Sequence, residues 1–99
     1  MLDLDKYMEI SKKVKVLGME LNVKQPTVAM IERVNTIERN LTEENILEKR
    51  VEVAEIIVNN NREGVKIEKK QLKELSRSAL ELLIAVSTGM IKEADQDPN

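Results

Sequence analysis

Two hydrophobic rhythms divide this chain, and the change between them limits what it can fold into. From Lys12 to Lys24 apolar residues recur at every second position. Val14 and Val16 alternate with Lys13 and Lys15, then Met19, Leu21 and Val23 with Glu20, Asn22 and Lys24. A period of two places alternate side chains on opposite faces of a strand. Leu17-Gly18 lies between the two runs. A two-residue turn there pairs Val16 with Met19 and Val14 with Leu21, which makes one face apolar and the other charged. Glycine supplies the positive φ such a turn needs, but its usual partner is Asn or Asp and here it is Leu. An isolated hairpin is marginal in water, so this one, over about residues 12–24, must lie on helices.

Beyond the hairpin the spacing changes to three and four. Pro26 suits a first helical turn, and Val28, Ile31, Val34 and Ile37 mark one face of a helix over about 26–39. Thr42 suits the N-cap of a second helix over about 43–61, with Leu41 and Ile46 placed as a hydrophobic staple. Its stripe of Leu47, Val51, Ala54 and Val58 is widened by Ile46, Val53 and Ile57, which predicts burial on two sides. Asn59-Asn60-Asn61 and Gly64 close it. A third helix is predicted over about 68–94 as one unbroken amphipathic element. Its face carries Leu72, Leu75, Ala79, Leu82 or Leu83, Val86 and Met90. Between Leu2 and Ser11, Asp3 suits the cap of a short helix presenting Leu4, Tyr7, Met8 and Ile10, although Met8 and Ile10 also suit the start of a strand. The expected fold is mainly α, a small α+β domain over residues 1–94. A β-hairpin packs on about three helices, and residues 95–99 form a disordered tail.

Composition narrows the chemistry. The 99 residues include no Cys and no His, which excludes disulfides, thiolate or imidazole metal sites, cysteine nucleophiles and histidine bases. Ser76, Ser78, Ser87 and Thr88 fall within helical pattern with no base arranged beside them, and three scattered glycines make no phosphate loop. No catalytic residue, metal or cofactor is expected. Tyr7 is the one aromatic residue, and 16 basic residues face 18 acidic ones, so neither base stacking nor bulk attraction to nucleic acid is favoured. The opening Leu2-Asp3-Leu4-Asp5 is acidic where a secretory signal is basic. The longest apolar stretch, Ala79 to Val86, is short and interrupted by Glu81. No membrane contact and a cytoplasmic location are therefore expected.

The apolar helical positions exceed what one small domain can bury. Leu82 and Leu83 point about 100° apart on a helix, so both cannot face inward. With Leu82 taken as the inward residue, the candidate partner surface is Leu72, Leu75, Leu83, Val86 and Met90, flanked by Lys69, Lys70 and Lys73. Those lysines belong to a basic group with Lys66 and Arg77, whereas seven Glu face four Arg or Lys between Glu32 and Glu55. Opposed charge and a modest core predict homo-oligomerisation.

Two families share features with the chain. The run Leu21 to Arg33 resembles the turn and recognition helix of a helix-turn-helix regulator, with Gln25, Thr27 and Arg33 placed to reach bases or phosphates. Against it, residues 13–17 alternate like a strand. The second resemblance is to the tail assembly chaperones of long-tailed phages and prophages. It is carried by the short hairpin, the run Val23-Lys24-Gln25-Pro26-Thr27-Val28 and the amphipathic helices that follow, roughly Val14 to Ala94. It implies a non-enzymatic protein of the bacterial host cytoplasm that binds the long helical tape measure protein during tail assembly. Residues 2–11 match nothing in that pattern.

Overall fold

The structure, a computed structural model, describes residues 1–96, with side chains through residue 89. Strands β1 (Ser11–Val16) and β2 (Met19–Lys24) form an antiparallel hairpin in the register that the alternation requires, Val16 opposite Met19 and Val14 opposite Leu21. Leu17 and Gly18 both turn through positive φ, 52° and 80°. That geometry matches the twist of the strands, yet a left-handed conformation costs an L-residue such as Leu17 about 1–2 kcal/mol. Val16, Leu21 and Val23 face the core, and Val14 and Met19 pack at its margin.

The outer edge of β2 is not free. The Lys24 N–H donates to the Asn60 carbonyl at 2.8 Å and the Arg62 N–H to the Asn22 carbonyl at 3.0 Å. The Glu63 carboxylate accepts the Asn22 backbone N–H at 2.8 Å and its side-chain amide at 2.6 Å. Residues 60–63 thus stand in for a third strand.

Helix α1 (Val28–Arg39) begins later than the sequence suggests. Thr27 is its cap, its hydroxyl accepting the Met30 N–H at 3.1 Å, so Pro26 lies outside the first turn. None of its residues is buried, and Val28, expected on the inner face, is exposed. Helix α2 (Ile46–Val58) is also shorter than expected. Thr42 and Asn45 cap one another reciprocally across a turn at residues 43–45, and the helix proper follows. Val51, Val53, Ala54, Ile57 and Val58 are all buried, so α2 is covered on two sides, as its wide stripe predicts.

The expected helix over 68–94 is broken. A single turn, α3 (Lys69–Leu72), is followed by turn residues and then by α4 (Arg77–Gln96). Ser76 makes the break, because its hydroxyl accepts the Ala79 N–H at 3.1 Å and so starts a new helix inside an apparently continuous pattern. Residues 95 and 96 are helical rather than part of a tail, and residues 97–99 lie outside the described residues. Near the start, Asp3 caps a 3₁₀ helix, Leu4–Met8, and Ser11 already belongs to β1. The architecture is a small α+β fold, an N-terminal hairpin on three helices of seven or more residues. Its core joins Leu21 and Val23 of the hairpin to Val53 and Val58 of α2, to Ile67 and Leu72, and to Leu80, Leu83 and Ile84 of α4.

Candidate partner-binding grooves

Two open apolar grooves meet at Leu75. The larger, about 530 Å³, lies between the first turns of α2 and the break before α4. Val51, Leu72 and Leu80 are buried and form its floor, while Leu47 stands 56% exposed at its side. Glu44 and Glu48 line it on the α2 side, and Lys73 and Arg77 on the other. Leu47 shares the stripe of Val51 but lies in the first turn of α2, where it stays exposed.

The second groove, about 280 Å³, runs between the hairpin tip and α4. Val16 and Leu83 are its buried floor, Val14, Ala79 and Val86 are half-buried, and Leu17, Leu82 and Lys15 are exposed around it. The phase of α4 decides this. Leu83 is 4% exposed and Leu82 69%, the reverse of the sequence expectation. Leu80, Leu83 and Ile84 are the inward residues.

The expected partner surface is thus redistributed. Leu72, Lys73 and Leu75 line the first groove, and Leu75, Leu83 and Val86 the second. Leu72 and Leu83, expected on an outward contact surface, are buried in the core and form the floors of the grooves. Lys69 turns to Glu52 of α2 at 3.7 Å, so part of the opposed charge is paired within one chain. Lys70 is exposed and lines neither groove. The side chain of Met90 lies outside those described. Leu17, Leu47 and Leu82 are the contact candidates that sequence reasoning missed. The signal for Leu17 was present, a leucine at a turn position that ordinarily takes Asn or Asp.

A charge tie holds the helices that carry the grooves. Arg50 of α2 donates from Nη1 to Glu38 of α1 at 2.8 Å, and from Nη2 and Nε to Glu81 of α4 at 2.6 and 3.2 Å. The hydrogen bond from Arg50 holds the Glu81 carboxyl below its ordinary pKa, against a smaller opposing effect of burial. The Asn22 backbone amide, before its side chain, does the same for Glu63.

The segment that a helix-turn-helix would need as its first helix is a hairpin. Residues 12–24 form strands and not a first helix, and the Thr27 hydroxyl is used in capping. The Gln25 N–H donates to the Ile10 carbonyl at 2.8 Å. Among the described residues no helix is long and apolar enough to cross a membrane. Compared with protein-family models, curated proteins and solved structures, the chain matches none.

Proposed function

We propose that this protein is a non-enzymatic tail assembly chaperone of a long-tailed phage or prophage, acting in the host cytoplasm. It binds amphipathic helical segments of the tape measure protein and keeps them from aggregating while the tail is built. The observation that supports this most is the 530 Å³ groove, with its buried floor of Val51, Leu72 and Leu80 and exposed Leu47 beside it. An amphipathic helix laid there buries its apolar stripe, the usual form of helix-in-groove recognition. Glu44 and Glu48 on one side, with Lys73 and Arg77 on the other, set its direction by charge. The hairpin, the Val23 to Val28 run and the helices agree with the resemblance to that family.

The test is co-expression of a helical tape measure fragment with the wild type, with Leu47→Asp and with an unrelated control protein. The wild type is expected to raise the soluble share of the fragment, and Leu47→Asp to lose the effect. Leu47→Asp should keep its own stability within about 0.5 kcal/mol, as surface substitutions do. If the wild type keeps no more fragment in solution than the control, the reading fails.

A further inference from the structure

The 280 Å³ groove and the chain's first eight residues have complementary chemistry. Eight large hydrophobic residues are exposed among those described, and six of them lie on these two surfaces: Met1, Leu2, Leu4 and Met8 on the segment, Leu17 and Leu82 on the groove. The 3₁₀ helix of that segment buries none of its residues in its own molecule. It carries Asp3 and Asp5 against Lys6, and the hairpin presents Lys15 at the groove. Leu17 adds an independent observation. The sequence keeps a branched apolar side chain at φ 52°, where Asn is unstrained, and that side chain borders the groove. Stability is given up locally at such a position, and the side chain it presents is one that borders the groove.

We infer that the N-terminal segment of one copy of this chain docks, through Leu2, Leu4 and Met8, into the groove of Leu17 and Leu82 on a second copy. In its own molecule the segment lies away from this groove, as a 3₁₀ helix rooted at the other end of β1. Ile10 accepts the Gln25 N–H and Glu9 accepts a hydrogen bond from Arg62, which fix its root at the far end of β1. The six residues of β1 then set root and groove roughly 20 Å apart. Exchange between two copies covers both apolar surfaces at once and brings Asp3 and Asp5 towards Lys15. The pairing uses the second groove and needs no client, so its test and the client test succeed or fail separately.

The absence of cysteine permits a direct experiment. Leu4→Cys protein is mixed with Leu82→Cys protein at micromolar concentration and oxidised, with a Leu4→Cys and Leu47→Cys mixture as control. Both Leu4 and Leu82 are exposed, so the variants fold as the wild type does. The expected result is a disulfide-linked pair as the main product of the first mixture only. In parallel, Leu17→Asn relieves the turn and removes an apolar anchor. It should unfold no earlier than wild type in urea, yet raise the dissociation constant of self-association by roughly tenfold. A wild type that is monomeric by light scattering overturns the inference. So does cross-linking no greater than in the control, or a Leu17→Asn variant that associates as the wild type does.

Discussion

Leu72 is fully buried in a single turn of helix, and it touches both the core and the floor of the larger groove. Truncating such a side chain removes its transfer energy and leaves a cavity, so Leu72→Ala should cost about 2–5 kcal/mol in urea unfolding. Leu82→Ala, ten positions on and exposed, should stay within about 0.5 kcal/mol of wild type in the same assay. Equal losses at both positions would contradict the assigned phase of α4. Periodicity alone could not separate Leu82 from Leu83, and the reason is local. Leu72 and Leu75 precede the break that Ser76 makes, so a phase extrapolated from them does not carry into α4. The serine was visible, but inside an apolar pattern its hydroxyl reads as a solvent-facing residue and not as a cap. Asn61 shows the same blindness. Its buried amide donates to the Val58 and Val65 carbonyls, both at 2.8 Å, and its oxygen accepts the Val65 N–H at 2.9 Å. In the sequence it looks like one of three asparagines ending a helix.

At the scale of elements, α1 is the least secured of the α-helices, since it buries no residue and rests on Val34 and Ile37 at the core margin. The Arg50 bridge to Glu38 and Glu81 therefore links α1 and α4 through α2 with little apolar packing to assist on the α1 side. The pH dependence follows from Glu81. Its folded pKa lies below the ordinary value, so the unfolded chain binds the proton more readily. The stabilisation is full above the unfolded carboxylate pKa of about 4.3 and is lost as pH falls through the lower folded value. The urea midpoint should fall between pH 5 and pH 3, and the Glu81→Gln variant, already without the ion pair, should fall less over the same range. The carboxylate is partly exposed, so added salt should reduce the difference. The existence of α1, α2 and α4 was legible because each carries an apolar stripe, whereas their ends were set by hydroxyl and amide caps that periodicity does not register.

For the whole molecule, the fold class was legible because two periods, each strong, lie in separate parts of the chain. The fastening of hairpin to helices was not, because polar residues with no periodic signature make it. That fastening bears on how the chain comes into being. Asn22 takes its partner Glu63 from 41 residues downstream, and Leu83, beneath the hairpin tip, is later still. At a synthesis rate of about 5–20 residues per second, the 41 residues separating Asn22 from Glu63 take roughly two to eight seconds to make. Until then the hairpin lacks the segment that borders β2, and until α4 is made it lacks the helix beneath its tip; a lone hairpin is marginal. A chain ending at Val58 should accordingly show strand amides exchanging with solvent at unprotected rates, while the full chain protects them. Protected strands in the short chain would mean that the hairpin stands by itself. The hairpin, made before the elements that fasten it, becomes native only once they follow.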